Sequence, residues 1–187
     1  MNLASFADLA VRLVNSGVCD PDADPLRSCD AFRAYAAERS FSSALVTRPD
    51  LDRLKLLRAE LAKVFTCAVD GDDQGAAAKL NGLLMVNPVH PELVQHDGQA
   101  WHVHLSESGS MTDKYSAAAV IGLSLLVSGL GIERLGICAI ASCEQVFIDG
   151  SKNKSRRYCR EHSAAKGNVT ALRGQRGTGS GAGESVA

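Results

Sequence analysis

Two closely spaced pairs of metal-binding side chains near the carboxyl end constrain this chain more than any other feature. Cys138 and Cys143 are separated by four residues, Cys159 and His162 by two, and 15 residues lie between the pairs. Zinc takes four soft or borderline ligands at tetrahedral corners, and two short pairs joined by a loop supply them at a small loop-closure cost. The spacing therefore predicts one zinc ion held by these four side chains. The alternative is three core cysteines beside an unrelated histidine.

The predicted zinc has a structural role. Four protein ligands leave no position for water, and a segment from Ile137 to about Arg173 is too small to fold on an apolar core of its own. We expect the second pair to lie in the first turn of a helix, because ligands at i and i+3 share a helical face. The predicted helix runs from Arg156 to Leu172 with Ser155 as its cap.

Charge is distributed unevenly along the chain. Residues 1–150 carry 12 basic and 19 acidic side chains, a balance of −7, whereas residues 151–187 carry 8 and 2, a balance of +6. This asymmetry predicts a basic module that contacts an anionic surface, although a solvated helix face would have a similar composition. The candidate nucleic-acid contacts are Lys152, Lys154, Arg156, Arg157, Arg160, Lys166 and Arg173.

Helical periodicity dominates the first two thirds of the chain. Apolar residues recur at three-to-four spacing from Leu3 to Val14 and from Leu51 to Phe65. The second helix has a clear start, because Thr47 can cap it, Pro49 fits its first turn and Asp50 meets the positive end of its dipole. Further helices are predicted from about Asp30 to Glu38, Gln74 to Met85 and Asp113 to Leu130.

One segment, residues 92–105, departs from the helical pattern. Asp97-Gly98 favours a two-residue turn, and after it apolar Trp101, Val103 and Leu105 alternate with histidines. We expect a β-hairpin that lies against the helices through its apolar face. The predicted fold is therefore mainly α with one small β-hairpin, followed by a small treble-clef-like zinc module.

The histidines near the hairpin raise the alternative of an enzyme. His102 and His104 share a strand face and could act as acid and base or bind a second metal. His90 and His96 complete the set of candidate catalytic histidines, and no Asp or Glu accompanies any of the four at a recurring spacing. The sequence also lacks a phosphate loop, a dinucleotide fingerprint and a nucleophile elbow, so we expect no enzyme.

The remaining features indicate a cytoplasmic protein. The amino terminus lacks the basic start and cleavage site of a secretory signal, and the apolar run from Ala117 to Leu130 is too short and interrupted to span a membrane. Cys19, Cys29 and Cys67 are expected to be buried or half-buried thiols. The predicted domains are residues 1–136, helical with the hairpin; residues 137–176, the zinc module; and residues 177–187, a Gly-rich disordered tail.

Two sets of residues together form a recognisable pattern. Around the predicted ligands these are Leu135–Cys138, Cys143, Val146–Asp149, Ser151, Asn153 and Ser155–Cys159, and upstream they are Phe6, Leu9, Leu13–Asn15, Pro88–Val94 and Trp101–Leu105. The first set resembles the CGNR zinc-finger family of bacterial proteins, and the second resembles the helical ABATE domain that precedes this finger. The family is named for a Cys-Gly-Asn-Arg run that carries its last ligand, and this chain has no cysteine after Cys159, so His162 is the predicted substitute.

The resemblance implies a transcription regulator. In that hypothesis the finger contacts DNA while the N-terminal domain senses a small-molecule effector or forms a homodimer. The alternative is a protein-interaction or small-molecule-sensing protein that does not bind DNA and uses zinc only as a structural staple.

Overall fold

The computed structural model describes residues 3–18, 21–38, 45–95, 98, 100–105 and 109–163. Within these ranges the chain is mainly helical, with two antiparallel two-stranded sheets, which confirms the predicted fold class. The helices are α1 (Leu3–Asn15), α2 (Cys29–Ala37), α3 (Arg48–Val69), α4 (Asp73–Val86) and α5 (Met111–Leu130). The strands are β1 (Glu92–Val94), β2 (His102–His104), β3 (Leu135–Ile137) and β4 (Val146–Ile148), and 3-10 turns cover Pro21–Ala23, Pro25–Arg27 and Ile132–Arg134.

Capping boxes set the start of both long helices. At α3 the Thr47 side chain accepts from the Asp50 N–H, and the Asp50 carboxylate accepts from the Thr47 N–H at 2.9 Å, as predicted. Helix α5 begins two residues before the predicted start at Asp113. Ser110 is its cap, and Asp113 is instead the third helical residue that completes the box.

Helices α1 and α5 pack closely because Gly122 lies at their contact. A Cβ atom at this position would lie 2.4 Å from Phe6 Cβ and 2.6 Å from the Ala7 nitrogen, so only glycine allows this approach. By length and composition α5 could cross a membrane, but 44% of its apolar window is buried inside the protein. Together with the leucine face of α3, it forms the main apolar core.

The β1–β2 hairpin is confirmed, but its register differs from the one that a two-residue turn at Asp97-Gly98 would give. Such a turn would pair Val94 with Trp101, whereas Val94 pairs with His102. Trp101 therefore falls in the connection between the strands and is 64% exposed. Asp97 itself lies outside the described residues. The expected apolar packing is limited, because Leu105 contacts the core while Leu93 is 65% exposed.

The second sheet, β3–β4, is attached directly to the helical part of the chain. Leu135 of β3 and Val146 of β4 belong to the main apolar core. The Asn15 amide at the end of α1 pairs with the backbone of Val146 as a neighbouring strand would: its Nδ2 donates to the Val146 carbonyl at 2.9 Å, and its Oδ1 accepts from the Val146 N–H at 2.8 Å. These contacts fix the segment that carries the Cys/His residues.

Candidate metal centre and basic loop

The first ligand pair lies at the open end of the β3–β4 sheet. Cys138 directly follows β3, and its N–H donates to the Gln145 carbonyl at 2.9 Å. Between the strands the chain reverses, and the Cys143 N–H donates to the Ile140 carbonyl at 2.9 Å. With this tight reversal the two sulfurs lie within 4.8 Å of each other.

The second pair lies at the first turn of a helical segment, as predicted, but this segment begins later than the prediction placed it. Residues 160–163 are helical, and the Ser163 N–H donates to the Cys159 carbonyl at 3.0 Å, which places His162 one turn from Cys159. The predicted cap at Ser155 and start at Arg156 are wrong. The N–H groups of those two residues donate instead to Ser151 Oγ and to an Asp149 carboxylate oxygen, each at 2.9 Å, so this segment is a loop.

The four predicted ligand side chains converge in the structure. Their candidate ligand atoms all lie within 4.8 Å of one another. The His162 Nδ1 atom is 3.3 Å from the sulfurs of both Cys138 and Cys159, and the sulfurs of Cys143 and Cys159 are 4.0 Å apart. A tetrahedral zinc ion holds its ligand atoms about 3.5–3.8 Å apart. The separations and the donor set both fit such an ion.

The electrostatics of the cluster also favour a bound cation. Burial alone would raise the pKa of Cys138, but backbone N–H groups, first that of Cys159 and then that of Ile140, lower it to about 6. Burial, with the neighbouring thiols of Cys138 and Cys159, raises the pKa of Cys143 to about 11. The surroundings therefore favour the thiolate form of Cys138 but disfavour a second thiolate at Cys143. A bound divalent metal ion would stabilise the additional negative charge.

Both parts of the chain match family models. Residues 7–129 match ABATE, described as "Putative stress-induced transcription regulator", and residues 134–176 match the CGNR zinc finger. The chain belongs to the ABATE family. The resemblance seen in the sequence is confirmed, including the order of an ABATE domain followed by a CGNR finger. Neither description names an enzyme family, and no curated protein matches the chain.

A buried carboxylate organises the loop of the CGNR finger. Asp149 is 4% exposed, and its two oxygens accept from the N–H groups of Ser151 at 2.8 Å and Arg156 at 2.9 Å. Burial would raise the pKa of Asp149, but these hydrogen bonds and the nearby Arg134 lower it. Arg134 also donates to the carbonyls of Asp149 and Ser151. Our sequence reasoning missed both roles, although Asp149-Gly150-Ser151 is a turn signal.

The predicted nucleic-acid contacts differ in their surroundings. Lys152, Lys154, Arg157 and Arg160 are exposed, and Lys154 pairs with Glu133. Arg156 is half-buried: it donates to the carbonyls of Tyr158 and Ile148 and lies over the Phe147 ring at 5.0 Å. Its first role is therefore to hold the finger together. Lys166 and Arg173 lie outside the described residues.

The other candidate residues do not join a site in the described part of the chain. His90 is exposed, Cys29 and Cys67 are half-buried as predicted, and Cys67 packs against the core of the ABATE domain. Cys19, His96, the side chains of His102 and His104, and residues 164–187 lie outside the described residues.

Proposed function

We propose that this protein is a cytoplasmic, zinc-binding transcription regulator. Its CGNR finger contacts DNA, and its ABATE domain senses an effector or forms a homodimer. Cys138, Cys143, Cys159 and His162 hold the zinc. The ion is structural in this proposal, because four protein ligands complete its tetrahedron and it fixes the second ligand pair against the first.

The main support for DNA binding is the position of exposed Lys and Arg side chains on a loop that the Asp149 hydrogen bonds hold in place. Lys152 and Arg157 each directly follow a residue whose N–H is held by the buried Asp149, and Arg160 begins the helical turn that bears His162. The zinc cluster and Asp149 limit the motion of this loop, so little conformational entropy is lost on binding phosphates. The +6 balance of residues 151–187 adds long-range attraction to the DNA backbone.

Fluorescence anisotropy with a labelled duplex of mixed sequence and zinc-loaded protein tests this proposal. We expect the logarithm of affinity to fall linearly with the logarithm of salt concentration, by about 0.9 for each phosphate contacted. Replacing Lys152 and Arg157 together by Gln removes two contacts. The slope should then become shallower by about 1.8, with affinity at least about tenfold weaker at moderate salt.

The matched control is the double replacement Lys55→Gln and Lys63→Gln, which removes the same charge from the exposed face of α3. This variant should keep at least half of the wild-type slope and affinity. Equal weakening by both variants would show only nonspecific attraction to the whole chain and would contradict contact through the finger.

The second candidate function is that of a protein-interaction or small-molecule-sensing protein that does not bind DNA. Its finger would act only as a staple, which means that zinc stabilises the fold and makes no contact with a nucleic acid. It is favoured by the internal use of basic side chains: Arg134 and Arg156 bond to carbonyls of the finger, and Lys154 pairs with Glu133. If zinc-loaded protein binds no duplex at low salt, the staple is the correct function and the DNA contact is wrong.

A further inference from the structure

A cavity of about 690 Å³ lies where the ABATE domain meets the CGNR finger. One wall comes from α1 and the end of α5, and the other from β4 and the helical turn after Cys159. The Asn15–Val146 hydrogen-bond pair forms part of its floor. Its size lies in the range of pockets that bind small organic molecules, about 300–1,000 Å³.

The lining of the cavity has an apolar part and a charged part. Apolar side chains from both units, among them Val11, Leu126, Leu130 and Ile148, provide surface for a hydrocarbon or aromatic body. On the polar side Arg12 is paired with Asp8, whereas Arg156 is fixed by its carbonyl contacts and its place over Phe147.

Arg160 is the cation that remains available in the cavity. It lines the same space as Arg156, and within the described ranges its side chain has no hydrogen-bond or ion-pair partner. Glu161 is the adjacent carboxylate, so apart from the Arg12–Asp8 pair two guanidinium groups and one acid line the cavity. This excess of positive charge next to an apolar wall favours a ligand with an anionic head and an apolar body.

We propose that this cavity is an effector site for an amphipathic organic anion. The acidic head pairs with Arg160 and Arg156 of the finger, and the body lies against Val11, Leu126 and Leu130 of the ABATE domain. Such a ligand bridges the two units, so its binding free energy depends on how they are placed relative to each other.

One consequence rests on the proposed function. Arg160 is also a candidate contact for a DNA phosphate. When its guanidinium pairs with the effector, it can no longer bind that phosphate. Effector and DNA therefore compete for the same cation, and each weakens the other by the same factor. We expect saturation of the cavity to reduce DNA affinity several-fold and to make the salt slope shallower by about 0.9.

Isothermal titration of the full-length, zinc-loaded protein with three probes built on a ten-carbon chain tests the site without DNA. Decanoate should bind at least about tenfold more tightly than neutral decanol, and decyltrimethylammonium more weakly still. Arg160→Gln should weaken decanoate about tenfold, whereas Arg157→Gln, an equal loss of charge outside the cavity lining, should change it less than twofold. Leu130 is 47% exposed at the cavity wall, so Leu130→Trp should block binding without disturbing the core.

Each other outcome overturns the proposal. No binding by any probe rejects the site, and equal binding of decanol and decanoate rejects the anionic class. Decanoate binding that is unaffected by both Arg160→Gln and Leu130→Trp places the ligand elsewhere. Because these titrations contain no DNA, their failure is distinct from failure of the regulator function, and the anisotropy assay with saturating decanoate then tests the competition separately.

Discussion

In the ABATE domain, leucines from several helices share one apolar core, whereas few apolar side chains are buried in the part of the CGNR finger that the structure describes. Helix α3 alone buries four leucines, a valine and a phenylalanine. Between residues 134 and 163 the buried side chains are Leu135, Cys138, Gln145, Val146, Phe147, Asp149 and Cys159. Two of these are candidate metal ligands and two are polar, so residues 134–163 bury too little apolar surface to be stable by themselves.

The difference shows that the two units fold for different reasons. Burial of periodic apolar faces stabilises the helices, and this term does not depend on any ligand. The finger combines the Cys/His cluster with the Asp149 hydrogen-bond network, and both need their polar partners in place. Asn15 joins the two units, since its amide completes the edge of β4.

Removing the metal should separate the two units most clearly. With a strong chelator, or in Cys159→Ser, we expect hydrogen-exchange protection of residues 135–163 to fall by at least about a thousandfold, because zinc contributes about 10–16 kcal/mol to folding in zinc-finger peptides. Far-UV circular dichroism should retain most of its helical signal. Loss of the helices together with the finger would contradict independent stabilisation.

The control for this experiment is Cys67→Ser, which changes a half-buried thiol that packs on the ABATE core. It should keep one zinc per chain and the exchange protection of the finger, with only a modest loss of global stability.

The converse experiment damages the helical core and leaves the metal in place. Gly122→Ala introduces a Cβ atom 2.4 Å from Phe6 Cβ, so α1 and α5 must move apart at a cost of about 2–3 kcal/mol. Urea unfolding followed by circular dichroism measures the loss, and zinc stoichiometry should remain one per chain. Gly129→Ala in the same helix meets nothing within 4 Å and should be neutral or stabilising by about 0.5 kcal/mol.

Sequence reasoning succeeded where a local pattern decides the structure. Helix α3 followed from its leucine spacing and its Thr47 cap, and the four cluster residues followed from their spacing. In both cases the interacting groups are close in sequence, so the geometry is set by a few residues.

One missed feature depends on a contact between distant segments, and another on hydrogen bonds within a loop. Asn15 and Val146 are 131 residues apart, and nothing local in either segment indicates that they pair. The loop at Ser155 has helix-compatible residues, but its N–H groups are taken by Ser151 and Asp149, which lie in the preceding turn. Such hydrogen bonds outweigh local helix propensity, which differs by less than about 1 kcal/mol between ordinary residues.

The smallest predicted effect concerns one carboxylate in the ABATE domain. Burial would raise the pKa of Asp50, but hydrogen bonds from Thr47 and Thr112 lower it below its ordinary value. A depressed pKa means that Asp50 stabilises the fold above about pH 4 and that this contribution is lost as pH falls through its folded pKa. Asp50→Asn should therefore lower the free energy of unfolding by about 1 kcal/mol at pH 7 and by progressively less below pH 4.

Urea unfolding at several pH values measures this loss of stability. The control is Asp52→Asn at an exposed position, which should change stability by less than about 0.5 kcal/mol. A difference between wild type and Asp50→Asn that grew on acidification would reverse the assigned direction.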